Sequence, residues 1–187
     1  MRLRLHALEP ASRANGPGLR AVVWFQGCTL GCPGCFNPAT HPPAGGFETD
    51  TQALANKILS APGIEGVTIS GGEPFQQPDA LAALVRQLRE TALSILVFSG
   101  YTREKIQAMP QGPSILGSID VLIAGPYLAA KHHARALLGS VNQHIHLLTS
   151  RYQPSDFTGL PNRELILHRD GSITLSGIAP LPWRWTR

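Results

Sequence analysis

The chain has 187 residues, a formal net charge of +4 and 43% hydrophobic residues, spread along its whole length. That is enough for one sizeable core and argues against a globally disordered chain. No run of about 18 apolar residues suggests a transmembrane helix, and no block of about five or more like charges suggests a nucleic-acid arm. The N-terminal MRLRLHALEP carries no apolar h-region and no small-residue cleavage site, so it is not read as a signal peptide. Its cysteines are therefore expected to meet a reducing cytoplasm.

In chain order, LRAVVWFQG (19–27) reads as a strand ending at Gly27. Residues 41–47, HPPAGGF, read as a loop. TDTQALANKILSA (49–61) reads as a helix capped by Thr49 or Asp50, with Leu54 and Ile58 four apart on one face. GVTISGGEP (66–74) is a strand that runs into a glycine turn. QPDALAALVRQLRET (77–91) is the clearest helix: Leu81, Leu84, Val85 and Leu88 share a face, and Pro78 suits its first turn. LSILVFSG (93–100) is a buried-type strand. REKIQAM (103–109) is a short helix stopped by Pro110, and SIDVLIAGPY (118–127) a further strand. A helix is expected around 128–137, making His132 and His133 a solvated helix pair, and a strand at HIHLLTS (144–150). His144 and His146 then share one half-exposed strand face. RELILHRDGSITLSGI reads as a hairpin turning at Arg-Asp-Gly. In the LPWRWTR tail, one of Trp183 and Trp185 is expected to pack on the domain ahead of a frayed end.

Strands alternating with helices predict βαβ units. About five strands precede the hairpin, fewer than the eight of a closed barrel. The expectation is one α/β domain over 1–187, a partial (open) β/α barrel with a parallel sheet and a C-terminal β-hairpin. Its ligand site is expected at the carboxyl ends of the strands. That is where the unusual residues fall.

All three cysteines of the chain, Cys28, Cys32 and Cys35, lie within eight positions after the first strand. An odd thiol count in a reducing compartment points to a metal centre. Two centres fit the donors. Zinc would take His41 as a fourth ligand in a closed Cys3His site. A 4Fe–4S cluster held by three thiolates would leave one iron open to a substrate or cofactor. Glycine-rich turns at the ends of later strands favour an enzyme site, since glycine lets backbone groups approach a ligand.

The C-x3-C-x2-C spacing resembles the signature of radical S-adenosylmethionine (SAM) enzymes. With GPGLR (16–20), WFQGC (24–28), CPGCFN (32–37), SGGEP (70–74), SGYT (99–102), DVLIAGPY (120–127) and GSVNQ (139–143), the chain resembles the small activating enzymes of glycyl radical proteins, above all the anaerobic ribonucleotide reductase branch. Asn15 and Ala124 stand where such activases often carry Asp. The resemblance implies a 4Fe–4S cluster on Cys28, Cys32 and Cys35, with SAM bound by Gly71, Gly72, Glu73, Ser99 and Asn142. It implies an oxidoreductase that cleaves SAM reductively and abstracts a hydrogen atom. It also implies a glycyl radical enzyme as partner, such as anaerobic ribonucleotide reductase, and a low-potential electron donor such as flavodoxin or ferredoxin. No membrane or nucleic-acid partner is expected. The rivals are a compact radical SAM enzyme acting on a small molecule or peptide, and a zinc-stabilised binding module.

Overall fold

The computed structural model describes residues 1–178. Seven strands lie side by side in the order β3 (Phe47–Asp50), β1 (Arg2–Ser12), β2 (Arg20–Phe25), β4 (Gly66–Gly71), β5 (Ser94–Ser99), β6 (Val121–Ala124) and β9 (His144–Leu147). β2, β4, β5 and β6 run parallel. Parallel neighbours need crossovers, and helices supply them. α1 (Thr51–Leu59) leads into β4, α2 (Pro78–Arg89) joins β4 to β5, and α3 (Arg103–Gln107) with α4 (Gly112–Leu116) joins β5 to β6.

The helices form where the sequence stops them from being anything else. Asp50 Oδ1 accepts from Gln52 N at 2.8 Å and caps α1. Pro78 opens α2, where its missing N–H costs nothing. Leu54 and Ile58 of α1 and Leu81, Leu84 and Leu88 of α2 are buried against Leu5, Val23, Phe25, Ile69 and Val97 of the sheet. Truncating a wholly buried leucine such as Leu84 to Ala would cost about 2–5 kcal/mol. On the opposite face, Leu96, Val121 and Ile123 meet Leu137 and Phe157 in a second cluster.

The amino ends of the parallel strands are joined by a wholly buried Arg20. Its Nε donates to Thr68 Oγ1, Nη1 to Pro17 O, Ser94 Oγ and the Tyr152 hydroxyl, and Nη2 to Val67 O and Ser94 O. Every one of these acceptors is neutral. Burial pulls the guanidinium below its usual pKa.

Three expectations need correction. The helix expected at 128–137 is absent: a short 3-10 turn at Ala129–Lys131 leads into β7 (His132–Arg135) and β8 (Leu138–Ser140), an antiparallel pair. Ala134, Ala136 and Leu137 have φ of +50°, +49° and +67°, which no right-handed helix tolerates. Burial of Leu137 in the second cluster holds this conformation against local helix propensity. His132 and His133 are thus exposed strand residues, not a helix pair. β9 runs antiparallel to β6, so the parallel run has four strands and not five. β1 and β3 were not foreseen, although Leu3 and Leu5 alternate with Arg2 and Arg4 at the period of a strand.

The hairpin expected near the end is present as β10 (Arg163–Leu167) and β11 (Ile173–Gly177), with Gly171 at φ +84° in its turn. Trp183 and Trp185 lie outside the described residues. No helix among the described residues is long and apolar enough to cross a membrane.

Candidate active site

The cysteines sit on a loop that closes on itself. Gly27 N donates to Thr40 O at 2.8 Å and Cys28 N to His41 O at 3.0 Å, so the chain leaves and re-enters β2's end at one point. The buried Gln26 side chain reinforces the closure, donating to Ala39 O at 3.1 Å and Pro42 O at 2.7 Å. Inside the loop Cys35 N donates to Cys32 O, a turn that Gly34 makes possible at φ +74°. Gln76 fixes the loop from outside: its Oε1 accepts from Thr29 N at 3.0 Å, and its Nε2 donates to Thr29 Oγ1 and the Tyr101 hydroxyl.

Cys28, Cys32 and Cys35 are partly buried, unbonded thiols that line one pocket with Gly71, Gly72, Glu73 and Ser99. Burial pushes the Cys28 thiol above its ordinary pKa. His41 lines the pocket as well. Among the described residues, no three His, Cys, Asp or Glu side chains converge as ligands of a single ion would. A cube of four irons takes each thiolate on a different iron, so its ligands surround a larger body and stand further apart. Three soft sulfur donors around one pocket, with no fourth cysteine in the chain, fit such a cluster with one open iron.

Gly71 and Gly72 have a structural cause besides any ligand. A Cβ on Gly71, at φ +105°, would come within 2.4 Å of Phe25 N. One on Gly72 would meet Gly27 O at 2.3 Å and Thr40 O at 3.0 Å. The two glycines let the end of β4 press against the base of the cysteine loop. Gly72 N donates to Phe25 O and Glu73 N to Gly27 O, which completes the contact.

Glu73 is wholly buried. Its carboxylate accepts from Phe75 N at 3.0 Å, Ser99 Oγ at 2.9 Å and Gly100 N at 2.8 Å. Desolvation outweighs these bonds and lifts its pKa to about 7. Ser99 spends its one hydroxyl proton on Glu73 and accepts from Tyr101 N.

The far wall comes from the end of β5, the segment after β6 and the segment before β9. Phe98, Gly125, Tyr127 and Gln143 line it. Tyr127 meets Phe36 edge to face, ring centroids 5.2 Å apart. Gln143 Oε1 accepts from Gly139 N and Ser140 N while its Nε2 donates to Gly125 O. Asn142 does not line the pocket; its Nδ2 donates to Pro126 O at 2.8 Å. The neighbouring Gln143 does, one residue from where sequence reasoning looked. Gln76, Tyr127 and Gln143 were not named as site residues, although Tyr127 and Gln143 close the DVLIAGPY and GSVNQ motifs and Gln76 follows SGGEP by two positions.

The described geometry defines a thiol-lined cofactor pocket at the carboxyl edge of a parallel sheet. A 4Fe-4S single cluster domain matches residues 14–146, and the chain belongs to that family. Within it, the chain is similar to the anaerobic ribonucleoside-triphosphate reductase-activating proteins of Salmonella typhi and Escherichia coli. Identity is 31% over 156 residues and 29% over 157, covering 78% of this chain and 99% of each relative. It is also 40% identical over 95 residues to the pyruvate formate-lyase-activating enzyme of Clostridium pasteurianum. That match spans 48% of this chain and 40% of the relative's length.

Proposed function

We propose that the chain is a radical SAM activase that generates a glycyl radical on a partner protein, anaerobic ribonucleoside-triphosphate reductase being the foremost candidate. The observation that carries this is the shared pocket: all three cysteines and the ends of β4, β5 and β6 border one cavity. Activators of that reductase, similar to this chain over almost their whole length, support the choice of partner.

Cys28, Cys32 and Cys35 would hold the 4Fe–4S cluster. When bound, cluster and SAM would supply the one-electron chemistry that removes a hydrogen atom from a glycine Cα, with methionine and 5′-deoxyadenosine as the products. This chain's residues orient and shield. The closed loop fixes the three thiols relative to β2. Glu73, held by Ser99 and two backbone amides, sets a carboxylate beside the space for the methionyl ammonium. Gly71 and Gly72 keep that wall flat. Phe36 and Tyr127 cover one side of the thiols and limit water. Asn142 supports the wall through Pro126 rather than by lining it.

The remaining parts of the reading rest on the strand pattern, the chain's length and N-terminus and, for the electron donor, the family resemblance. The sheet is an open, partial β/α barrel within a single domain over 1–187, working in the cytoplasm with a low-potential donor such as flavodoxin or ferredoxin. The test is anaerobic. Reconstituted, reduced protein with SAM and the reductase should yield 5′-deoxyadenosine and a doublet electron-paramagnetic signal on the reductase. Deuterium placed on the target glycine should appear in the 5′-deoxyadenosine. Deuterium arriving from a free metabolite, with no radical on protein, would instead select the small-molecule enzyme.

A further inference from the structure

The β10–β11 hairpin is built inside out. An antiparallel sheet with one face on a protein ordinarily turns its apolar side inward. Here the inward side carries polar anchors. Glu164 Oε2 accepts from Ser12 Oγ at 2.7 Å and Arg13 N at 2.9 Å. Ser176 Oγ accepts from Asn15 Nδ2 at 2.5 Å, and the His168 ring stands 3.3 Å from Glu9. The outward side carries Leu165 opposite Leu175 and Leu167 opposite Ile173. These four are between 53% and 69% exposed, and among the described residues nothing covers them.

One residue of the apolar face, Leu175, reaches toward the site. Leu175 also lines a cleft with Trp24, Asn37, Thr40, Thr174 and Ser176. Asn37 borders the cofactor pocket too, so cleft and pocket share a wall. The rim is cationic: Arg163 shares the alternation of Leu165 and Leu167, and exposed Arg169 sits at the turn. The neighbouring Asp170 keeps its charge, its carboxylate bonded to Ser172, so the rim carries two cations against one anion.

We propose that the outer face of this hairpin docks the partner's glycine-bearing segment, an extended apolar stretch with acidic flanks, and that the cleft along β11 leads it to the pocket. Contiguous exposed apolar surface of this kind marks an interaction site. Among the described residues no strand pairs with the second edge of β11, which offers main-chain groups to an added strand. The inference rests on the activase reading above.

The test compares the full chain, reconstituted anaerobically, with a Leu165→Glu/Leu175→Glu variant, and with Leu167→Asn as a milder change. Anaerobic ribonucleoside-triphosphate reductase is the probe, and pyruvate formate-lyase the second. Cleavage of SAM without a partner should match the wild type in both variants, which also shows that they fold. The reductase concentration giving half-maximal glycyl radical signal should rise about tenfold or more in the double variant. An unchanged half-maximal concentration overturns the proposal. So does a drop from dimer to monomer with activation intact, which would assign the face to a second copy. Lowered thermal stability with activation intact overturns it as well, and would assign the face to residues 179–187. A wild-type protein that cleaves SAM but marks neither probe overturns the activase reading itself, and this proposal with it.

Discussion

Ser99 Oγ donates to Glu73 Oε1 at 2.9 Å, tying the end of β5 to the turn after β4 at the edge of the thiol pocket. A motif glutamate that would be read only as a ligand contact is therefore also a joint between strands. Gly100 N and Phe75 N complete the joint. Because the carboxylate is wholly desolvated, its ionisation works against folding.

The pH dependence of stability follows from that. Burial raises the folded pKa of Glu73 from 4.5 to about 7. A raised pKa means that the group's favourable contribution is full below about 4.5 and is lost as pH rises through 7. The difference is roughly 3 kcal/mol. Urea unfolding of the metal-free protein should show the wild type losing stability relative to Glu73→Gln between pH 5 and pH 8. A constant difference between the two across that window would refute the assignment.

Gly72→Val tests the joint between β4 and the cysteine loop. The new side chain would collide with Gly27 O and Thr40 O, both backbone atoms at the loop's base. Cluster incorporation itself should fall several-fold, measured as iron and sulfide per chain, along with SAM cleavage. A variant with full iron and no cleavage would show that the glycine serves the ligand alone.

The ligand set is tested by single substitutions. Cys28→Ala, Cys32→Ala and Cys35→Ala should each abolish SAM cleavage, while His41→Ala should retain about four irons per chain after reconstitution. Loss of the metal in His41→Ala, with zinc recovered from the wild type, would return the site to the Cys3His reading.

Arg20→Met should destabilise the protein by at least about 3 kcal/mol. Removing the guanidinium strands buried acceptors on Thr68, Ser94, Pro17 and Val67, each costing about 1–3 kcal/mol when left unpaired. Calorimetry of the metal-free protein gives the number. A melting temperature within a degree of the wild type would mean that water replaces the arginine without loss.

The sequence made the site more legible than its surroundings. Cys28, Cys32, Cys35, Gly71, Gly72, Glu73 and Ser99 were singled out because their chemistry is concentrated in short motifs, and all of them line one pocket. Asn142 was singled out and Gln143 was not, because only the loop's path decides which neighbour turns toward the pocket. The segment around Leu137 was misread because its left-handed backbone answers to the second core, which no local pattern reports. The direction of β9 is a matter of where the chain turns, and HIHL is the same four letters either way. β1 was readable from the alternation of Leu3 and Leu5, but its basic residues drew attention to export instead.

The closed base of the cysteine loop uncouples its length from the sheet. Because Gly27 pairs with Thr40 and Cys28 with His41, residues within the loop can be gained or lost without moving the register of β1 on β2. The insert behaves as a detachable cassette on a fixed frame. A loop of different length grafted between Cys28 and Thr40 should therefore leave the sheet beneath in register.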